Sequence, residues 1–186
     1  MATLFSYVVD HDLGFAPNPE SGFCTLVHCK FGGKNGRRNI VESAEPGDWI
    51  IGTGGCSKDS AGSGTVIYLM RVDEKLPFRE FLADRRFRDR LDCDDWGRGN
   101  TYALVSRRYF YFGKNALGIS ELPADLAAKL VKVGPGFRRD YPAVALQKLV
   151  SWFESNYQTG VHGAPCASKA FLAKLGSSQN LSENLC

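Results

Sequence analysis

The residues that could do chemistry stand early in the chain, in Asp10-His11-Asp12 and then in Asn18, Cys24, Cys29 and Lys30. Asp12 is followed by apolar Leu13 and Phe15, surroundings that raise a carboxyl group's proton affinity and suit it to acid–base work. A cysteine attacks only as the thiolate, and a cation such as Lys30 beside Cys29 favours that form. Asp12 is therefore read as the catalytic acid or base, Cys24 or Cys29 as the nucleophile, and Asn18 as the amide that orients a substrate. A structural use competes with each role. Asp and Asn in Gly- and Pro-containing turns commonly bond their own backbone.

These groups meet only if the chain folds back between them. The apolar run Leu4 to Val9 reads as a strand that stops at the two acids. Gly14, Pro17 and Pro19 exclude a regular helix or a central strand across the next stretch. Strand composition resumes from Phe23 to Lys30. The pattern is strand, stiff loop, strand, with acids, an amide and thiols delivered to one end.

Other motifs narrow the chemistry. The chain has six cysteines and no signal-like N-terminus, so reduced thiols are expected and the default compartment is the cytoplasm. Cys24 and His28 would share one strand face while Cys29 points to the other, against a zinc site. Gly52 to Gly64 holds five glycines. It lacks the Lys-Ser/Thr pair and following helix of a P-loop, and the dinucleotide fingerprint fails likewise. It is expected to be a flexible hairpin loop closing over a ligand. Asp92, Asp94 and Asp95 lack the spacing of a calcium loop, and no Ser-His-Asp order or paired-carboxylate spacing points to a hydrolase. No metal site is expected, and no cofactor can be named.

Further along, Trp49-Ile50-Ile51 and Thr65 to Val72 read as strands around the glycine loop. Pro77 to Phe87 reads as an amphipathic helix, with Phe78, Phe81 and Leu82 inward. Thr101 to Leu104 and Tyr109 to Phe112 complete the β portion. In the latter, tyrosines alternate with phenylalanines, so one pair can enter the core while the other lines a cleft and stacks on a base. Pro123 to Leu130 and Pro142 to Asn156 are helices, the second with a stripe of Leu146, Leu149, Val150 and Phe153. Ser168 to Leu175 reads as a short last helix, and residues 176–186 as a disordered tail beyond a single domain of residues 1–175.

With 186 residues, 44% hydrophobic and 23% charged, the chain has globular composition, and no apolar run approaches the ~20 residues of a membrane span. The net charge of +3 is small, but arginines pair at Arg37-Arg38, Arg85-Arg86, Arg107-Arg108 and Arg138-Arg139. Their planar forks suit phosphate.

Leu13-Gly14-Phe15-Ala16-Pro17-Asn18-Pro19, then Cys24-Thr25-Leu26 and Cys29-Lys30, then Pro46-Gly47-Asp48-Trp49 through Gly54, resemble the nucleotide modification associated domain 2 family. Tyr111-Phe112-Gly113 fits its pattern too. The resemblance implies an α+β domain of prokaryotes and phages tied to modification of nucleotides in DNA. Two departures stand out against the family. A longer His-containing insertion before the Tyr-Phe-Gly strand is missing, and Phe137 replaces the histidine of a Gly-x-Gly-His turn.

The fold expected is thus α+β: a mixed curved sheet, or a small barrel similar to PUA and EVE domains, flanked by C-terminal helices. The function expected is nucleotide or nucleobase modification. The alternative is a non-catalytic reader of modified nucleotides or of a small nucleotide signal. A nucleotide or nucleic acid is the partner in either case, with Asn18, Lys30, Arg37, Arg38, Thr53, Tyr111, Lys114 and Asn115 as its binding residues. Oligomeric state is open.

Overall fold

The structure, a computed structural model, describes residues 1–27, 38–88, 90, 101–130 and 136–167. The strand expected at the N-terminus is β1 (Leu4–Val9). It lies parallel to β3 (Trp49–Gly54), which turns through the glycine loop into antiparallel β4 (Thr65–Arg71). The second strand, β2 (Cys24–Leu26), is shorter than its composition suggests. After α1 (Ile40–Ser43), capped reciprocally by Asn39 and Glu42, come β5 (Glu74–Pro77), α2 (Phe78–Ala83), β6 (Tyr102–Ser106) and β7 (Tyr109–Tyr111). The chain continues through β8 (Leu117–Gly118), α3 (Ala124–Leu130), β9 (Phe137–Arg138), α4 (Ala143–Asn156) and β10 (Gly160–Val161).

Seven strands form one mixed sheet in the order β10-β7-β4-β3-β1-β9, with β8 on the first residues of β4, while β2-β6-β5 form a second sheet. Neither closes into a barrel. The mixed sheet with C-terminal helices is the architecture; the barrel form expected as its alternative is not. A register shift between Gly52 and Thr53 bends the central pair, because a bulge increases local twist.

Alternation along the strands sorts side chains to two faces. Leu4, Trp49, Ile51, Leu69, Phe110 and Phe112 pack against α3 and α4, with Phe153 of α4 5.4 Å from Phe110. Burying a side chain of that size contributes about 1.5–3 kcal/mol. Phe5, Tyr7, Tyr68, Met70, Tyr109 and Tyr111 face the second sheet and α1. The tyrosines and phenylalanines of β7 therefore do part to opposite faces, but both faces are covered, and neither pair lines an open cleft.

Helix α2 ends earlier than its pattern suggests. Pro77 closes β5 instead of entering the helix, and Leu82, expected inward, is exposed. Phe78 and Phe81 do turn inward, onto Phe87 and β6. Strands β5, β8, β9 and β10 have no counterpart in the sequence reading.

In three of the arginine pairs, one member is committed to the fold. Arg86 donates to both oxygens of Glu74 at 2.6 and 2.7 Å and to Asp84 Oδ2 at 2.7 Å, with its guanidinium 4.8 Å from the centre of the Phe87 ring. Arg108 pairs with Glu154, and Arg138 with Asp140. The Arg86 hydrogen bonds hold Glu74 and Asp84 below their ordinary values of 4.5 and 3.8. This stabilisation is present above those values and is lost as pH falls through the lowered ones. Arg86→Ala is expected to cost about 1–2 kcal/mol at pH 7, a figure that allows for partial exposure. The deficit should shrink on acidification. Thermal melts at pH 7 and pH 3 check it; equal deficits at both would mean that packing on Phe87, not charge, holds the residue.

Candidate functional site

Where β1 ends, three consecutive residues take three different surroundings. Asp10 is exposed, and its Oδ1 accepts the Ser57 N–H at 3.1 Å. His11 is half-buried, its Nδ1 3.4 Å from Asp59 Oδ2 and 3.3 Å from Ser57 Oγ. Both contacts fall on one ring nitrogen, which is not the arrangement of a relay triad. Asp12 is fully enclosed, at 0% exposure.

The Asp12 carboxylate is surrounded by donors drawn from opposite ends of the chain. Tyr111 Oη donates to Oδ1 at 2.7 Å, and the Cys166 N–H donates to Oδ2 at 3.1 Å. The Cys166 thiol and the Gly14 N–H lie near enough to favour its charged form. Its main chain is clamped as well: Asp12 N–H donates to Asp59 O at 2.9 Å, and Ala167 N–H to Asp12 O at 3.0 Å. Burial outweighs these bonds and raises the Asp12 pKa above the ordinary 3.8. Burial also pushes the Cys166 thiol up to about 12, with the charge of Asp12 adding to it. Tyr111 is pushed far above the phenol range for the same two reasons, in the same order.

This arrangement has a definite chemical capacity. Pushed up to about 12, the Cys166 thiol is protonated at neutral pH, and reaction at its sulfur needs a base to remove the proton in the same event. Asp12 is the carboxylate beside it, bonded to the Cys166 N–H, and a raised proton affinity is what a base for that proton needs. Tyr111 holds the carboxylate in position.

Other expected residues are placed as follows. Cys24 is fully buried and carries no disulfide; it shares the inner cluster with Tyr109 and Tyr111. Asn18 pairs its main chain with Thr25 and accepts the Glu20 N–H on Oδ1 at 3.1 Å. Buried Arg90 holds that loop, donating to Asn18 O at 2.8 Å, to Thr25 Oγ1 at 2.9 Å, and to Glu20 O. Thr53 Oγ1 donates to Tyr7 O at 3.2 Å. Lys114 and Asn115 are exposed on the turn after β7, where Lys114 N–H donates to Ala164 O and Asn115 Nδ2 to His162 O. Arg38 is exposed before α1. Cys29, Lys30 and Arg37 lie outside the described residues, as do Asp92–Asn100 and the last helix and tail.

Of the expected set, Asp12 and Tyr111 meet directly, though through the phenol hydroxyl instead of ring stacking. Cys166 was not singled out by sequence. The signal was there in weak form: a thiol in a Gly- and Pro-punctuated stretch, Gly163-Ala164-Pro165-Cys166, after the last strong helix. The glycine loop does close over the end of β1, but as a pinned turn. Gly55 N–H donates to Ser60 Oγ at 2.8 Å, and that hydroxyl donates to Val9 O at 2.6 Å.

The profile of the nucleotide modification associated domain 2 family matches residues 1–98 and 92–172. The chain belongs to that family. Neither a curated protein nor a solved structure matches it at a significant level. The two matched spans bring both halves of the Asp12–Tyr111–Cys166 site within the family's domain. Among the described residues, no helix is long and apolar enough to cross a membrane.

Proposed function

We propose that the protein modifies a nucleobase or nucleotide, as part of a phage or prokaryotic DNA-modification system, with Asp12 as proton-transfer group and Cys166 as the thiol it activates. One observation supports this reading: a fully enclosed carboxylate bonded at once to a phenol hydroxyl and to the main-chain N–H of a cysteine 154 positions away, which brings that residue's thiol to the same site. Enclosed titratable groups with strongly shifted proton affinities concentrate at reacting sites. In the step envisaged, sulfur adds to an electron-poor ring carbon while Asp12 takes the thiol proton. The electron pair pushed into the ring lets the neighbouring carbon attack an electrophilic group donor, whose leaving group departs with its bonding pair. Loss of that carbon's proton to solvent then expels the sulfur as thiolate, and Asp12 returns the thiol proton to it. Tyr111 fixes the carboxylate, and Cys24 stands behind it in the inner cluster.

A second reading keeps the ligand and drops the chemistry. It is favoured by the complete burial of Asp12, Tyr111 and Cys24, which suits polar groups that only hold a fold. In that case the protein reads a modified nucleotide elsewhere on its surface.

Mass spectrometry of nucleosides separates the two. DNA and the free nucleotide pool of a bacterial host making the protein should contain a nucleoside of altered mass. It should be absent with Asp12→Asn or Cys166→Ser. No new nucleoside, together with a nucleotide retained by all three proteins in native mass spectrometry, would establish the reader. With neither a product nor a retained nucleotide, both readings fail.

A further inference from the structure

The stretch from Val161 to Ala167 crosses the site as a strap, and its seating is unusual in what holds it. Main-chain bonds fasten it along its length: His162 N–H to Tyr111 O at 2.7 Å, Lys114 N–H to Ala164 O at 2.8 Å, and then Cys166 and Ala167 N–H to Asp12. Three glycines let it lie close. A Cβ on Gly163 would stand 2.0 Å from Phe112 O, one on Gly113 2.0 Å from Ala164 O, and one on Gly14 2.6 Å from the Pro165 ring. Apart from the His162 ring, which stacks on Phe112 at 4.9 Å and bonds Gln158 O at 2.8 Å, the strap buries little of its own. Val161 and Ala164 are exposed, and Gly163, Pro165, Cys166 and Ala167 are only half-buried. A segment held by main-chain bonds, with few buried apolar groups, belongs to the low end of local stability.

We propose that this strap is a gate. Seated, it shuts Asp12 away from any ligand; released, it admits the nucleotide, and reseating returns Cys166 to the carboxylate. The inference rests on reading Asp12 as the reacting group, since a residue with no exposed surface meets no substrate until something moves. The strap is the cover whose departure uncovers the carboxylate and the thiol together, without breaking a strand pair at the centre of the sheet. Gates of this kind separate entry from chemistry by excluding water when closed.

Two measurements on the intact protein test the gate without needing its chemistry. In hydrogen exchange, the amides of His162, Cys166 and Ala167 should exchange at least a hundredfold faster than those of Ile50 and Leu69 in the central strands, through local opening. In alkylation by iodoacetamide, read by peptide mass, exposed Cys56 sets the fast limit and buried Cys24 the slow one. Cys166 should fall between them. Gly163→Ala, which cannot seat the strap, should speed Cys166 labelling at least tenfold and leave Cys24 unchanged. The gate is overturned if Cys166 labels as slowly as Cys24 in the native protein, or if Gly163→Ala speeds both alike, since the strap then opens only with the whole fold. Local opening without any modified nucleoside would remove the chemistry and keep a gated pocket. A modified nucleoside with no local opening would keep the chemistry and remove the gate.

Discussion

Asp12→Asn is expected to lower turnover by about 10²–10⁴, the contribution of a positioned acid or base, while making the folded protein more stable at neutral pH. The two effects have one cause. Burial raises the Asp12 pKa above its ordinary 3.8, so over the window between those values the folded state holds a proton that the unfolded chain has lost. Stability falls as pH rises through that window, and ionised Asp12 destabilises the fold above it. Asparagine keeps the shape and never ionises, so the penalty goes, while its Nδ2 faces one of the two donors that the carboxylate accepted and gives back part of the gain. The gain at pH 7 should disappear as pH falls through that window towards the ordinary value of 3.8. Melting curves across pH, beside a turnover assay on whatever nucleoside product is found, check both halves. A variant that melts lower at pH 7 and turns over normally would make Asp12 a turn-holding residue and nothing more.

This opposition between stability and activity explains which parts of the molecule were legible in the sequence. β1, the core of β3, β4 and α4 were readable because their burial follows a short period. Leu146, Leu149 and Phe153 recur on one helical face and are buried there; the Tyr/Phe alternation of β7 splits between two layers as a strand must. Asp12 stood out because a carboxylate in an apolar, glycine-punctuated turn conflicts with local preference, and such conflicts gather at functional sites. What sequence could not show was its partner. Cys166 reaches Asp12 across 154 positions, through two-residue strands too short to carry a pattern. β9 and β10 exist only because β1 and β7 offer free edges to pair with. Phe137, read as a lost histidine, illustrates the limit: its ring packs 5.6 Å from Phe5 in the inner core, a role that position in a Gly-Pro-Gly turn does not announce.

The substitution expected to damage the fold most is Gly52→Ala, in the middle of a central strand. Gly52 faces Tyr68 across the β3–β4 ladder, and the phenol ring lies over the space where a side chain would stand. A Cβ there would be 2.2 Å from Tyr68 Cε1 and 2.7 Å from Val9 Cγ2. The ring cannot simply swing away. It is fully buried, and its hydroxyl donates to Tyr7 Oη at 2.8 Å, so displacement strains the core and breaks that bond. Overpacking costs about 1–3 kcal/mol and an unmade buried hydrogen bond about 1–3 more. A total of roughly 2–6 kcal/mol is a large share of the ~5–15 kcal/mol that holds a domain together, and corresponds to a fall in melting temperature of roughly 10 °C. The loss should extend to the site, because Tyr68 pairs across β4–β7 with Tyr111, which holds Asp12. A double-mutant cycle isolates the cause: with Tyr68→Ala already present, adding Gly52→Ala should cost less than about 1 kcal/mol. If the two changes are additive instead, the ring is not what reserves position 52 for glycine, and the backbone shift between Gly52 and Thr53 is the feature that an alanine disturbs.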